Sequence, residues 1–276
     1  TVHKYIGKIV QFFIDISNLR LINKLEVLKM NKLITAFFLL VFSLSAFAES
    51  VDSIIKKIDY NQSPDSVVYN AKMIITKNGK NTEKTMKIYG KGKNSTFVEF
   101  LTPARDKGTK YLRLKDNLWM YLADAEKTMK ISGHMLRQGM MGSDFSYEDQ
   151  TERSKLFEDY TASIIGEEKL NGRDMWVMLL ESKPGIEVTY VKRKIWVDKE
   201  QYVIYFSQLF AKSGKLLKEL SVDEVKKIDD RFYPVSQKMT DKIKGNSYTT
   251  IVFTDITLDK SVSDSLFTLQ NLEAKN

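Results

Sequence analysis

Past Pro64 the chain falls into short stretches rich in Val, Ile, Tyr, Phe and Thr, separated by only a few turn-forming residues. Connections that short can join only antiparallel neighbours. The clearest signal is Lys77-Asn78-Gly79-Lys80, set between the stretches Val67–Thr76 and Lys84–Tyr89. An Asn-Gly pair tolerates the positive φ angles of a two-residue hairpin turn. Thr96–Leu101 stops at Pro103, Lys110–Leu114 and Leu118–Leu122 bracket Asp116-Asn117, and Lys127–Ile131 follows. Ala162–Glu168 and Met175–Ser182 flank a second Asn-Gly pair, Asn171-Gly172. Further stretches run over Glu187–Val197, Tyr202–Ala211, Leu216–Lys227, Tyr233–Lys242 and Ser247–Leu258. Together they predict an antiparallel meander of about eleven strands, which at this length curls into a barrel or sandwich. No repeat or low-complexity linker interrupts it, so residues 49–276 read as a single domain.

Two segments precede that domain. Residues 30–48 have the form of a secretory signal: Lys32 near the start, an apolar run from Leu33 to Leu44, and Ala46-Phe47-Ala48 ahead of Glu49. The run is short for a bilayer span, and small residues close it, which predicts cleavage rather than anchoring. Residues 1–29 lie upstream of the start-like Met30 and read as an extension foreign to the working protein. Ile9, Phe12, Phe13, Ile16 and Leu19 recur at helical spacing, so an amphipathic membrane-surface helix is the other reading there.

Removing residues 1–48 leaves 228 residues and lowers the net charge from +8 to about +4, with both signs interspersed. Nucleic-acid binding would need a clustered basic stripe instead. Cysteine is absent, so there is neither a disulfide nor a lipid-attachment residue behind the signal. The expectation is a soluble, exported protein of a Gram-negative periplasm. His134 is the sole histidine after residue 48, which disfavours a zinc site or a serine–histidine catalytic pair. The chain is read as a non-enzyme with no catalytic residues, metal or cofactor.

Two further features complete the pattern. Val51, Ile54, Ile55 and Ile58 fall at helical spacing within Glu49–Tyr60, predicting one amphipathic helix packed on the sheet. Ser132–Tyr160 mixes Gly133, Gly139 and Gly142 with Met135, Leu136, Met140 and Met141, which predicts a mobile loop at the sheet's mouth and helix from about Ser146. Methionines adapt to variable apolar shapes, suiting a flexible greasy ligand, although they fill cores equally well. Asp144, Glu148, Asp149 and Glu152 read as the solvated start of that helix, with Ser143 or Asp144 as its cap. His134 and Arg137 stand beside the methionines, where an anionic headgroup would meet them. Trp119, Trp176 and Trp196 read as packing.

These residues resemble a known group. Phe97–Pro103, Lys107–Leu112, Asp116–Leu122, Met141–Asp149, Ile195–Glu200 and Ser265–Phe267 are similar to segments of the outer-membrane lipoprotein-sorting proteins, the LolA/LolB-like superfamily, in its uncharacterised periplasmic branch. One departure is Asn94-Ser95-Thr96, where relatives often carry a basic residue. The resemblance implies a mainly β fold with some α: an unclosed antiparallel barrel capped by helices, with an apolar cavity for acyl chains. It implies a carrier that moves lipoprotein or lipid chains between membrane partners, an inner-membrane transporter and an outer-membrane acceptor. A sensor module of the same fold and a lipid-delivery accessory of an exporter of the resistance-nodulation-division type are the alternatives.

On that reading alternate strand residues line the cavity: Tyr69, Met73, Ile75, Met86, Ile88, Phe97, Leu112, Leu114, Trp119, Tyr121, Met129 and Ile131. The mouth would carry His134, Met135, Arg137, Met140, Met141 and Phe145. A one-residue slip in register would invert every assignment.

Overall fold

The computed structural model describes residues 49–151 and 155–274, with residues 11, 12, 14 and 15. The expected export signal and most of the segment before it lie outside the described residues. Two units divide the chain, Thr1–Ser50 and Val51–Asn276, and the fold is that of the second.

Helix α1 (Val51–Gln62) buries Ile54, Ile55 and Ile58 along one side, as their spacing requires. Asn61 near its end ties it to the sheet. The Asn61 amide donates to the carbonyls of Gln201 at 2.8 Å and Tyr202 at 3.2 Å, and its carbonyl accepts from the Phe232 N–H at 3.0 Å.

Thirteen strands follow, one for each stretch picked out in the sequence and two more than the total of about eleven. They are β1 (Ser66–Lys77), β2 (Lys80–Lys91), β3 (Ser95–Thr102), β4 (Lys110–Leu114), β5 (Asn117–Leu122) and β6 (Lys127–Ile131). After two short helices, α2 (Tyr147–Thr151) and α3 (Leu156–Asp159), come β7 (Tyr160–Leu170), β8 (Arg173–Ser182), β9 (Lys192–Asp198) and β10 (Ile204–Phe210). Then come β11 (Leu216–Ile228), β12 (Arg231–Asp241), β13 (Ser247–Leu258) and the closing helix α4 (Leu269–Glu273). Both Asn-Gly pairs form as expected: Asn78 and Gly79 take φ of 49° and 76°, Asn171 and Gly172 take 50° and 81°.

All thirteen strands form one sheet, ordered β6-β5-β4-β3-β2-β1-β13-β12-β11-β10-β9-β8-β7. Each half of the chain is thus a meander, and the two halves join where β1 pairs with β13, from Val67 opposite Leu258 to Lys77 opposite Ser247. β6 and β7 remain the free edges, so the barrel is unclosed. A flat sheet would set β6 and β10 about 40 Å apart at the usual strand spacing. Instead Ile131 of β6 and Leu209 of β10 share one packed cluster, which requires the sheet to curl on itself.

The expected strand Glu187–Val197 is realised only from Lys192. Residues 183–191 leave the ladder at Pro184 and at Gly185, whose φ is 78°. Tyr190 then turns into the core, where it is 5 % exposed. Its side chain fills the interior, which a strand residue of the other parity would not.

Three clusters fill or cover the sheet near the cavity. On the inner face Met73, Ile75, Met86, Ile88, Val98, Phe100, Tyr111 and Met120 pack with Met140 and Phe145. Further along, α1 and Leu156 of α3 pack on Met178, Leu180, Ile195 and Val197. The outer side of β3–β5 is covered by Val262, Phe267 and Leu272 of the C-terminal segment. No helix among the described residues is long and apolar enough to cross a membrane. Ile58 is fully buried at the centre of the α1 contact. Ile58→Ala is therefore expected to cost about 2–5 kcal/mol in a denaturant titration, with the midpoint falling and the slope unchanged.

Candidate functional site

The inner face is filled from two sides, by α1 with α3 and by residues 133–147, and the two fillings do not meet everywhere. Between them lies a cavity of ≈ 290 Å³. That is near the lower end of the range of about 300–1,000 Å³ seen for small-molecule pockets. Tyr69, Ile88, Leu209, Leu220, Met239 and Phe253 give it apolar walls contributed by both halves of the sheet. Asp59, Gln62, Arg193, Ser207 and Gln237 add polar groups, so the lining is mixed rather than uniformly greasy.

Residues 133–147 form a fastened plug, contrary to the mobile loop read from the sequence. Gly139 and Ser146 form an isolated antiparallel bridge, and the Met140 N–H donates to the Phe145 carbonyl at 2.8 Å. Asp144 is 1 % exposed. Its carboxylate accepts from the hydroxyls of Ser247 and, at 2.7 Å, Thr249, while its N–H donates to Thr249 Oγ1 at 3.0 Å. Asp144 therefore staples the plug to β13 and does not cap a helix. The cap of α2 is a reciprocal pair one turn later: Ser146 N–H donates to Asp149 at 2.7 Å, and Asp149 N–H donates to Ser146 Oγ at 3.2 Å. Helix begins at Tyr147, close to the expected Ser146, and the described residues hold two short helices there; Glu152 lies outside them.

Asp149 is also the hub of a buried polar group at the cavity wall. It accepts from the Tyr190 hydroxyl at 2.6 Å and pairs with Lys218 of β11. Burial pushes the Tyr190 phenol up, and the adjoining Asp149 carboxylate adds to this. The Tyr160 hydroxyl donates to the Tyr190 carbonyl at 2.8 Å. Arg193 lies against both rings, its guanidinium carbon 4.8 Å from the Tyr160 centroid and 5.7 Å from that of Tyr190. Stacking satisfies the face of a guanidinium but none of its N–H groups. Arg193 Nε is fully buried without a hydrogen-bond acceptor, a state that costs about 1–3 kcal/mol. Opposite, burial raises the Asp59 carboxyl above its ordinary value, although it accepts the N–H groups of Leu156 and Phe157 at 2.8 Å each.

The residues singled out from the sequence separate into three sets. Met73, Ile75, Met86, Ile88 and Met129 share the inner cluster with Met135, Met140, Met141 and Phe145. Phe97, Leu112, Leu114, Trp119 and Tyr121 face the other way, against the C-terminal segment. On those three strands the inward residues are Val98, Phe100, Tyr111, Leu118 and Met120, one position out of step with the expected parity. The cause is that both faces of β3–β5 are covered, so the letters alternate between two apolar sides and give no preference. His134 and Arg137 are exposed on a 3-10 turn. Of the residues expected to line the cavity or its mouth, Tyr69, Ile88 and Phe145 do so.

The second meander supplies most of the lining, and the sequence reading passed it over. Arg193 looks like part of a surface charge run, Lys192-Arg193-Lys194. Its parity with Ile195 and Val197, both buried, was the available signal that it points inward.

The model of a family described as "Uncharacterized protein" matches residues 92–274, about two-thirds of the chain. The chain is similar to the crystal structure of a DUF1329 family protein from Desulfovibrio piger, with 26% identity, a TM-score of 0.73, and 80% of this chain and 97% of that one covered. A domain from Vibrio parahaemolyticus named for outer membrane lipoprotein sorting shows 21% identity and a TM-score of 0.71 over 81% and 98% of the two chains. A LolA superfamily protein from Nitrosomonas europaea shows 21% identity and a TM-score of 0.69 over 81% and 100%. At that identity the last two show the fold. No curated protein matches the chain.

The plug generates a paired expectation. A Cβ on Gly139 would stand 2.1 Å from the Ser143 carbonyl oxygen, so Gly139→Ala must displace backbone. Asp144→Ala leaves the Ser247 and Thr249 hydroxyls without their acceptor. Each variant is expected to lose about 1–3 kcal/mol of stability in urea unfolding, and values within 0.5 kcal/mol of wild type would contradict the stapled plug.

Proposed function

Because the chain belongs to this family of uncharacterized proteins with the LolA-like fold, we propose that it is a periplasmic carrier that shelters an acyl chain and passes it between membranes. The cargo would be a lipid or the acyl part of a lipoprotein, taken from an inner-membrane donor and given to an outer-membrane acceptor. The observation that carries this reading is the cavity left between two well-fastened fillings, walled by Tyr69, Leu209, Leu220, Met239 and Phe253.

The physical need is plain. An acyl chain in water costs about 0.8 kcal/mol per methylene, so an aqueous crossing requires an apolar container. A carrier must also release, and a cavity of ≈ 290 Å³ with polar groups in its walls holds a chain without burying it deeply. Nothing in the lining requires chemistry on the cargo. The carboxyl and phenol groups there that burial shifts, Asp59 and Tyr190, are held by structural hydrogen bonds.

The test is transfer. Donor vesicles carrying a pyrene-labelled acyl lipid are mixed with unlabelled acceptor vesicles, and loss of excimer emission is followed with time. The rate is expected to rise in proportion to added protein. Leu220→Trp, which fills the cavity from β11, should cut that rate about tenfold while leaving the melting temperature near wild type. A rate that does not depend on protein would overturn the carrier reading.

A further inference from the structure

The geometry points to an anionic head on the cargo: we propose that Arg193 is the counter-charge for a carboxylate or phosphate carried by a single acyl chain in the cavity. This deepens the carrier reading and rests on it.

Arg193 lies on β9, between Leu180 of β8 and Leu209 of β10, and faces the cavity. The nearby carboxylates are already engaged. Asp149 holds Lys218, the Tyr190 hydroxyl and the Ser146 N–H. Asp59 holds two backbone N–H groups at the start of α3. No described carboxylate lies within ion-pair distance of the half-buried Arg193, whereas the more deeply buried Lys84, Lys218 and Arg231 each have one and Lys110 reaches the Ala274 carbonyl instead. A guanidinium is always charged and offers its N–H groups as a fork that fits a carboxylate or phosphate. Its guanidinium lies over the rings of Tyr160 and Tyr190, and Nε remains without an acceptor. A buried donor left open in this way needs an explanation, and an anionic ligand oxygen supplies one.

The rest of the cavity fits the tail. From Arg193 the apolar wall continues through Leu209, Leu220, Met239 and Phe253. The volume suits one chain with its head, not a bundle of chains. A neutral acyl ester or amide would leave the guanidinium without a partner, so the site discriminates by charge as well as by shape.

Calorimetric titration of the purified protein with dodecanoate, dodecyl phosphate and dodecanol, each below its micellar concentration, tests this. At least one anion is expected to bind about tenfold or more tightly than dodecanol, as one charge-assisted contact allows. The stronger of the two anions names the head. Arg193→Gln should remove that preference, lowering anion affinity far more than dodecanol affinity, and Arg193→Lys should retain part of it even if the glutamine variant fails to fold. Equal binding of dodecanol and both anions by wild type would overturn the assignment of Arg193 and leave the carrier reading standing. So would an Arg193→Lys or Arg193→Gln variant that weakens all three probes equally. Absence of binding by any of the three would overturn both.

Discussion

Strands β1 and β13 are nearly the whole domain apart in sequence, and their ladder joins two meanders that would otherwise each expose a long edge. Closing a loop of this length is entropically costly, and the register must be right because a slip of one residue would turn Met73 and Ile75 outward. The apolar alternation of β1 on its inner face sets that register. Tyr69 and Phe253 meet across the seam with ring centroids 4.8 Å apart, and both line the cavity. The site therefore exists only when the two halves of the sheet are joined.

Curling leaves an inner face that must be covered, and the chain covers it with two unlike pieces. Helix α1 does so with aliphatic side chains at helical spacing, a bulk hydrophobic contact without direction. The 133–147 plug and the helix α2 that follows it rely instead on directed bonds: Asp144 to the β13 hydroxyls and Asp149 to Lys218, Tyr190 and its own cap. Buried ionic contacts of this kind add little net stability but fix position strongly. The plug is thereby held at one height above the sheet, and the cavity is the space left between it and α1.

The overall architecture was legible because it rests on short-range chemistry. Asn78-Gly79 and Asn171-Gly172 specify their hairpins locally, and Ile54, Ile55 and Ile58 specify a helix face. What failed was parity on β3–β5, where the C-terminal segment covers the outer side and Phe97, Leu112 and Trp119 are needed there. A sheet with two apolar faces carries no period-two signal. The plug was misread for a related reason: Gly139 and Gly142 signal flexibility by composition, yet Gly139 is required by the close approach of the Ser143 carbonyl. Asp144 could not be assigned from sequence because its partners, Ser247 and Thr249, are more than a hundred residues away. Arg193 was hidden in a basic triplet whose neighbours Lys192 and Lys194 carry the same charge.

The most direct measurement of the central claim is the lipid content of the protein itself. Protein isolated without detergent from cells that export it is extracted with solvent and examined by mass spectrometry, beside a Leu220→Trp control. A single-chain anionic lipid, near one per protein and depleted in the control, is the result expected. Acyl lipid absent from wild type, or present equally in both, would contradict a cavity that carries it.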